Sequence, residues 1–343
     1  MRANALYYSQ IYICPRVLVD VTTVDLSSQL LNRPLSVPIL IAPMAAQKMV
    51  HPDGEIGITK VAKEFGAVMC LSTISSTQLE DVAKAMAAHE PGKKASGGLW
   101  FQLYVLKRRD ITERLVRRAE AAGYNALCLT VDAPVSGKRE VNARNRFIYP
   151  PGVVPENFKE LFEEETAKTS VTDMNAFLAT LFDSSVNWKD LAWLKSITSL
   201  PIILKGICSP QDAKLAVQCG VSAIILSNHG GRQLDTAPPT IALLPQIAEE
   251  TKASGIPIII DGGIRRGTDI FKAIALGASA VMIGRPLLWG LAVEGEGGAR
   301  HVMNILVQEL KNAMQLSGIT SIHQLSVSGK ETLLSSHPKL SNL

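Results

Sequence analysis

A histidine and an arginine stand three positions apart, directly after an apolar run near the middle of the chain. The run 223–226 is followed by Ser227-Asn228-His229-Gly230-Gly231-Arg232-Gln233-Leu234-Asp235. The imidazole of His229 can accept a proton near neutral pH, and the guanidinium of Arg232 can hold a carboxylate through two parallel hydrogen bonds. The pair indicates proton transfer on an anionic substrate. The alternative interpretation is a polar loop after a buried strand, because a motif of this kind requires a supporting context.

Two further charged residues end other apolar runs. Asp132 follows the run 126–131, and Lys205 ends the run 201–205. A carboxylate can orient an imidazole and stabilise its protonated form, so Asp132 is a candidate partner of His229; the alternative is that it caps the following loop. A buried lysine either pairs with a structural acid or supplies positive charge to an electron-rich ligand, and we favour the second interpretation for Lys205.

Glycine and arginine follow the last two apolar runs. The two loops read Asp261-Gly262-Gly263-Ile264-Arg265-Arg266-Gly267 and Gly284-Arg285-Pro286. Glycine lets backbone N–H groups approach an anion, and arginine adds charge-assisted hydrogen bonds. The loops predict a phosphate-binding cup. The alternative interpretation is a pair of tight turns with solvated arginines.

The elements that must position these residues follow a regular rhythm. Apolar runs of strand length occur eight times, at residues 38–42, 68–72, 99–105, 126–131, 201–205, 223–226, 257–260 and 280–283. Such runs are typical of parallel strands covered on both faces. Helical patterns with a glycine just beyond their ends lie between them, at 55–65, 111–122, 211–219 and 269–276. The repetition predicts an α/β fold, a TIM (β/α)8 barrel, with a doubly wound sheet as the lesser alternative.

The rhythm is interrupted after strand four. Residues 150–185 are polar and irregular, which predicts a long loop that is a lid or disordered, and an amphipathic helix at 187–198 restores the pattern. The last helix is expected at 299–316. We interpret the whole chain, 1–343, as one barrel domain. It has a lead-in segment at 1–37 with a short strand at 16–20, and a loose tail at 330–343.

Composition narrows the class of protein. The 343 residues are 47% hydrophobic, enough for a large core, and a formal net charge of +4 does not argue for nucleic acid. Five cysteines without a CxxC pair argue against a disulfide framework or a metal site and favour a reducing compartment. We expect no membrane segment and no secretory signal, hence a cytoplasmic protein. The C-terminal Ser341-Asn342-Leu343 only loosely resembles a peroxisomal signal, so the peroxisome is the alternative location.

A TIM barrel gathers its chemistry at the C-terminal ends of its strands. The residues above would meet there with Ser72, Gln102, Tyr104 and Thr130. Phosphate sites in this fold often use the loops after strands seven and eight, and no glycine-rich dinucleotide loop follows strand one. Flavin mononucleotide (FMN) is the natural candidate ligand, because its phosphate, ribityl chain and ring would span strands eight to one.

These motifs resemble those of the FMN-dependent L-2-hydroxy-acid oxidases and dehydrogenases, the glycolate and lactate oxidase group. The resemblance extends from residue 15 to residue 316, and its motifs include Gln47-Lys48-Met49, Phe101-Gln102-Leu103-Tyr104, Leu129-Thr130-Val131-Asp132 and the loops 227–235 and 261–269. It implies FMN as cofactor, a small 2-hydroxy acid as substrate and a homotetramer. We expect oxygen as acceptor, giving hydrogen peroxide, since no haem domain is attached; a dehydrogenase with another acceptor is the alternative.

The resemblance also implies a role for each polar residue. His229 would accept the substrate proton with support from Asp132, while Arg139 and Arg232 would bind the substrate carboxylate and Tyr104 would bond near the reacting hydroxyl. Lys205 would stabilise the anionic reduced flavin. The remaining residues would hold the cofactor: Pro43, Met44, Ala45, Ser72, Gln102, Thr130 and Ser227 at the ring and ribityl chain, and Asp261, Gly262, Gly263, Ile264, Arg265, Gly284 and Arg285 at the ribityl chain and phosphate.

Two departures from the family pattern matter. Relatives carry, upstream of the segment that matches the start of this chain, a tyrosine that contacts the substrate carboxylate, and Tyr7 and Tyr8 fall at other positions. We therefore expect weaker substrate binding and loss of a cover over the barrel base, with a weakly active flavin-binding protein as an alternative. Met44 and Ile74 stand where glycolate oxidases have threonine and tryptophan. An apolar wall with added room predicts L-lactate over glycolate. Another FMN barrel, such as an isomerase, is a third interpretation, which the His229–Arg232 pair disfavours.

Overall fold

The lead-in segment folds into a helix and three short strands in the computed structural model, which describes residues 1–88, 96–168 and 174–335. These elements are α1 (Arg2–Tyr8), β1 (Ile11–Ile13), β2 (Ser28–Leu30) and β3 (Arg33–Leu35). The expected strand at 16–20 is wrong, because those residues form no strand.

The hairpin of β2 and β3 covers the base of the barrel. Leu30 and Leu35 are buried among the side chains that fill the barrel interior, and the carbonyl of Pro34 accepts a hydrogen bond from the N–H of Gly97, which precedes a barrel strand. The expectation that the base would lack its cover is therefore wrong.

Eight parallel strands close into a barrel in the order β10-β11-β4-β5-β6-β7-β8-β9. They are β4 (Ile39–Ile41), β5 (Val68–Leu71), β6 (Gly98–Leu103), β7 (Ala126–Thr130), β8 (Ile202–Ile207), β9 (Ala223–Leu226), β10 (Ile258–Asp261) and β11 (Ala280–Ile283). Each lies within one of the eight predicted apolar runs or extends it by one or two residues. The predicted TIM barrel is confirmed, and the doubly wound alternative is excluded.

Burial on both faces explains why the strands read as continuous apolar runs. On β4, Leu40 belongs to the cluster inside the barrel, whereas Ile39 and Ile41 belong to the cluster between strands and helices. All three side chains are fully buried. A strand that faces solvent on one side would alternate apolar and polar residues instead.

The helices wrap the barrel in sequence order. They are α2 (Gly54–Glu64), α3 (Leu79–Ala87), α4 (Arg109–Ala121), α5 (Glu140–Arg144), α6 (Lys159–Lys168), α7 (Met174–Leu181), α8 (Asp190–Ser196), α9 (Pro210–Gln218), α10 (Thr240–Thr251), α11 (Gly267–Ala275), α12 (Arg285–Leu316) and α13 (Ile322–Ser328). At the start of α9, the Ser209 hydroxyl accepts a hydrogen bond from the N–H of Asp212, and Pro210 occupies the first turn. In the part of the chain that the structure describes, no helix has the length and hydropathy to span a membrane.

The long loop after β7 is more regular than predicted. It contains α5, a 3₁₀ turn at Glu156–Phe158, α6 and α7, and the side chains of Phe158 and Phe177 are buried. Residues 169–173 lie outside the described residues. Helices α5, α6 and α7 have 5, 10 and 8 residues, so each spans too few turns to give a clear periodic pattern in the sequence.

The C-terminal part differs from the prediction in two ways. The helix expected at 299–316 begins at Arg285, is interrupted by non-helical backbone at Glu294 and Gly295, and is followed by α13. Residues 330–335 are not loose. A 3₁₀ turn at Gly329–Thr332 leads into β12 (Leu333–Ser335), which pairs antiparallel with β1. Residues 336–343, including the C-terminal tripeptide, lie outside the described residues.

Candidate active site

A cavity of about 820 Å³ opens at the C-terminal ends of the barrel strands. Its wall contains all but two of the predicted site residues, namely Pro43, Met44, Ala45, Ser72, Gln102, Tyr104, Thr130, Arg139, Lys205, His229, Arg232, Asp261, Gly262, Gly263, Ile264, Arg265, Gly284 and Arg285. The two exceptions, Asp132 and Ser227, lie directly behind the wall and contact residues that form it. The fold thus brings the predicted residues to one place.

His229 and Asp132 form a hydrogen-bonded pair. The Nδ1 atom of His229 lies 2.9 Å from the Oδ1 atom of Asp132, and the two side chains are only 17% and 12% exposed. Because Nδ1 is engaged, Nε2 is the nitrogen left to accept a proton. This geometry favours Asp132 as the partner of the imidazole over a mere loop cap.

A glycine makes room for that pair. Gly206 has φ +112°, and a Cβ atom placed on it would lie 2.6 Å from the Cβ of Asp132. The pairing of β8 with β9 shifts register between Lys205 and Ile207, so the irregularity coincides with this glycine. A bulge next to an active site commonly redirects a side chain, and here it accompanies the entry of Lys205 into the cavity wall.

Lys205 is buried in a three-residue polar network. Its ammonium nitrogen lies 2.9 Å from Oδ2 of Asp261 and donates a hydrogen bond of 2.7 Å to the Ser227 hydroxyl. Ser227 in turn donates to Asp261 at 2.8 Å and accepts from the N–H of His229 at 3.0 Å. The Ser227 hydroxyl is thus engaged by three neighbours inside the protein, and its contact with the cofactor stays a prediction.

The network keeps Lys205 charged. Burial by itself would lower the pKa of its ammonium group, but the carboxylates of Asp261 and Asp132 outweigh burial and raise that pKa above its usual value. Both interpretations of Lys205 are thus compatible, since it is paired with an acid and also lines the cavity.

The loop after β9 turns through three left-handed residues. His229, Gly230 and Gly231 have φ of 58°, 66° and 72°, and the N–H of Gly231 donates to Oδ1 of Asn228 at 3.0 Å. A non-glycine residue in this region costs on the order of 1–3 kcal/mol unless its surroundings enforce it. Gln233 helps to hold the loop in this conformation, because its side-chain amide donates to the backbone carbonyls of Asp132 and Val135.

Two arginines make one side of the cavity cationic. Arg232 lines the cavity, and part of its side chain stays exposed to solvent. Partial desolvation, together with the positive charge of Arg139, lowers its pKa to about 10. A carboxylate between the two guanidinium groups would relieve their repulsion. Tyr104 lies in the same wall, where burial raises its pKa to about 12, and its ring packs on Phe182 with centroids 4.7 Å apart.

Buried polar atoms without a partner test whether the wall suits FMN. Within the described residues, the unpartnered atoms at the cavity include donors and acceptors: Gln102 Nε2, Thr130 Oγ1, Asp261 Oδ1 and Arg285 Nη1. Buried polar groups normally have partners, so these atoms point to a ligand with complementary polar edges. The ring edge, ribityl hydroxyls and phosphate of FMN offer such edges, and the residues fit this cofactor.

The predicted phosphate cup is cationic. Burial lowers the pKa of Arg285, and the positive charge of the nearby Arg265 lowers it further. A bound anion would stabilise the positive charge of both arginines. Packing gives a second physical reason for glycine at position 263. A Cβ atom on Gly263 would collide with the backbone carbonyl of Asn4, so this glycine accommodates α1 as well as a ligand.

Several cavity residues escaped the sequence analysis. The long loop after β7 contributes an apolar part of the wall, formed by Phe147, Tyr149, Leu178 and Phe182. Their only signal was aromatic or apolar character inside an otherwise polar stretch. Met1 also lines the cavity, whereas Tyr7 and Tyr8 are buried and do not line it.

Comparison with known proteins gives a consistent match. A family model described as FMN-dependent dehydrogenase matches residues 1–331. A 2-hydroxyacid oxidase of Dictyostelium discoideum is 47% identical over 323 residues, which cover 94% of this chain and 80% of that protein. A glycolate oxidase of Spinacia oleracea is 44% identical over 323 residues, covering 94% and 85%.

Solved structures of mandelate oxidase share the fold. One, with (S)-4-hydroxymandelic acid, superposes with a TM-score of 0.85 at 37% identity and covers 95% of this chain and 88% of that one. Another superposes with a TM-score of 0.83 at 36% identity, covering 98% and 89%. Because the family model spans the barrel and every loop that lines the cavity, the chain belongs to the FMN-dependent dehydrogenase family and its cofactor is FMN.

Proposed function

We propose that this protein oxidises an L-2-hydroxy acid to the 2-oxo acid, with L-lactate preferred over glycolate and oxygen as the electron acceptor. The observation that carries the proposal is that His229, paired with Asp132 behind the cavity wall, lines the same cavity as Arg232. Oxidation of a 2-hydroxy acid requires a base for the substrate proton and a cation for its carboxylate. The relatives described as 2-hydroxyacid and glycolate oxidases support the same chemistry.

In this proposal the cationic side of the cavity orients the substrate. Arg232 and Arg139 bind its carboxylate, and the hydroxyl of Tyr104 bonds near the reacting hydroxyl group. His229 accepts the proton at Nε2, and Asp132 stabilises the imidazolium that results. When bound, FMN supplies the acceptor for the two electrons that leave the substrate.

The other wall residues hold the cofactor. Pro43, Met44, Ala45, Ser72, Gln102 and Thr130 would contact the ring and ribityl chain. Asp261, Gly262, Gly263, Ile264, Arg265, Gly284 and Arg285 would contact the ribityl chain and phosphate. The charge of Lys205 would stabilise negative charge on the bound cofactor, since its buried ammonium group keeps its proton. Ser227 acts behind the wall by fixing Lys205 and the N–H of His229.

Substrate preference rests on Met44 and Ile74, which both line the cavity. Their apolar side chains offer a methyl group an apolar contact in place of water. Burying one methyl group is worth about 0.8 kcal/mol, which corresponds to roughly fourfold in kcat/KM. Steady-state kinetics on L-lactate and glycolate test this preference, and a higher kcat/KM for glycolate would contradict it. Ile74→Trp should reverse the order by filling the space.

The reaction is tested by anaerobic reduction of the purified flavoprotein. L-lactate should bleach the flavin absorbance, and admission of oxygen should restore it with release of hydrogen peroxide. His229→Ala should retain the flavin but lose bleaching by several orders of magnitude. Bleaching that returns only with an artificial acceptor would favour the dehydrogenase. Bound flavin that no 2-hydroxy acid bleaches would indicate a flavin-binding protein without this activity.

We further propose one FMN-binding domain over residues 1–343, a homotetramer and a cytoplasmic location. All five cysteines are free thiols, in keeping with a reducing compartment. The exposed apolar side chains of Trp289 and Val293 on α12 offer surface for subunit contacts. Light scattering coupled to size-exclusion chromatography tests the tetramer, and imaging of the tagged protein tests the location.

A further inference from the structure

Two asparagines far apart in sequence form a reciprocal amide pair beneath the catalytic loop. Asn4 on α1 donates from Nδ2 to Oδ1 of Asn228 at 2.8 Å, and Asn228 donates from Nδ2 to Oδ1 of Asn4 at 2.8 Å. Asn4 is 3% exposed and Asn228 is 7% exposed. A buried pair of this kind is costly to disrupt, because each lost partner leaves a desolvated polar atom.

Asn228 transmits this contact to the catalytic turn. It immediately precedes His229, and its Oδ1 atom also accepts from the N–H of Gly231 at 3.0 Å. Its Nδ2 atom also donates to the carbonyl of Pro238 at 3.1 Å. The left-handed turn at His229 is therefore held by the Asn228 amide, which Asn4 orients together with Gly231 and Pro238.

Both the backbone and the side chain of Asn4 lie against the glycines that follow β10 on the cofactor side of the cavity. Its carbonyl packs so closely on Gly263 that a Cβ atom there would collide with it, and its Nδ2 atom lies 2.9 Å from the position of a Cβ on Gly262. α1 is anchored independently, since the ammonium group of Lys272 donates to the carbonyl of Tyr8 at 3.0 Å. Loss of the Asn4 side chain should thus leave the helix and its backbone contact with Gly263 in place.

We propose that Asn4 is a positioning residue for catalysis. Its side-chain amide fixes the rotamer of Asn228 and thereby holds the His229–Gly231 turn in the geometry that proton transfer requires. The inference rests on the proposed role of His229 as the base. Asn4 itself touches neither the base nor the reacting atoms. It acts on the rate of flavin reduction through Asn228, and its backbone supports the flavin loop separately.

The test compares holoenzyme variants in anaerobic flavin reduction by saturating L-lactate. Asn4→Ala should lower the reduction rate about tenfold while flavin affinity stays within about twofold of wild type. Ser9→Ala is the control, because it removes a side-chain hydrogen bond at the C-terminal end of the same helix, to the carbonyl of Leu6. It should reduce at the wild-type rate.

Asn4→Asp provides a readout that a merely structural residue would not give. The carboxylate can accept from Asn228 but cannot donate to it, whereas the protonated acid can do both, as the amide does. Burial raises the pKa of such an acid. The ratio of the Asn4→Asp rate to the wild-type rate should therefore rise as the pH is lowered from 8 to about 5.5, while the Asn4→Ala ratio stays flat.

Three results would overturn the proposal. They are wild-type reduction by Asn4→Ala, a pH-independent Asn4→Asp ratio, or a loss of rate that only follows loss of flavin. His229→Ala measured alongside separates this inference from the proposed function. Wild-type reduction by His229→Ala would refute the assignment of the base. An inactive His229→Ala with a fully active Asn4→Ala would refute the positioning role alone.

Discussion

His229 adopts a left-handed backbone conformation that few residues other than glycine adopt, and hydrogen bonds from its neighbours stabilise it there. The N–H of His229 donates to Ser227, and its imidazole contacts Asp132. The next two residues, Gly230 and Gly231, continue the left-handed turn at little cost. At the scale of single residues, then, the site stores strain in one position and offsets it with hydrogen bonds. Strained residues of this kind occur preferentially where function requires a particular side-chain direction.

Replacement of Asp132 by asparagine should separate orientation from charge. An amide nitrogen beside Nδ1 of His229 would favour the tautomer that carries its proton on Nε2, and that tautomer cannot accept the substrate proton. We expect the rate of flavin reduction by L-lactate to fall by about 10²- to 10⁴-fold in Asp132→Asn, with flavin retained. Asp110→Asn, at an exposed carboxylate, is the control and should leave the rate unchanged. A fall of less than about threefold in Asp132→Asn would speak against the pair.

At the scale of elements, the loops of the cavity are tied together by buried polar side chains. Glu55, in the first turn of α2, accepts hydrogen bonds from the N–H of Gln47 in the loop after β4 and from the N–H of Ser76 in the loop after β5. Gln233 likewise joins the loop after β9 to the loop after β7. These hydrogen bonds connect loops that follow different strands, so the cavity wall is fixed to the barrel.

The bulge in β8 provides a test at this scale. Gly206→Ala introduces a side chain at φ +112° against Asp132, whereas Gly255→Ala introduces one at φ +64° with open space around it. Both should lose stability through backbone strain, by about 1 kcal/mol for Gly255→Ala. Only Gly206→Ala should also slow flavin reduction, because it displaces the partner of His229. Chemical unfolding and anaerobic reduction measure the two effects, and equal reduction rates in both variants would contradict this account of the bulge.

The whole molecule is closed by contacts between its two terminal segments. β1 and β12 pair antiparallel, with Ile11 opposite Ser335 and Ile13 opposite Leu333, and both Ile11 and Leu333 are buried. α13 and the following 3₁₀ turn continue this closure. The segments that appeared as a lead-in and a tail in the sequence thus complete the outer layer of the barrel together.

Two neighbouring leucines of β12 test this closure. Leu333 is 3% exposed and Leu334 is 61% exposed on the same strand. Leu333→Asp buries an unpaired charge, so its free energy of unfolding should fall by about 3 kcal/mol or more, whereas Leu334→Asp should change it by no more than about 0.5 kcal/mol. Urea unfolding of the two holoproteins measures the difference. Similar midpoints would show that the pairing contributes little to the stability of the molecule.

The barrel and the chemistry of its mouth could be predicted from local patterns. Each strand is buried on both faces, so runs such as 223–226 are apolar throughout and are visible without any partner. Most residues of the proposed catalytic and cofactor sites follow or end those runs, and parallel strands bring their C-terminal ends to one side of the molecule. The local sequence was therefore enough to place His229, Asp132, Arg232 and the two glycine–arginine loops at the mouth of the barrel.

Other features depend on contacts between segments that are distant in the sequence, and only the tertiary structure reveals them. Ser227 has the residue type of a ligand contact, yet its hydroxyl is engaged by Lys205 and Asp261 on neighbouring strands. β12 has three residues and no local signal, because its hydrogen-bond partners lie on β1, more than 300 residues earlier in the chain. The Asn4–Asn228 pair spans 224 positions. Local periodicity reports which face of an element is buried, but the partner that a polar or short segment finds is fixed only when the barrel closes.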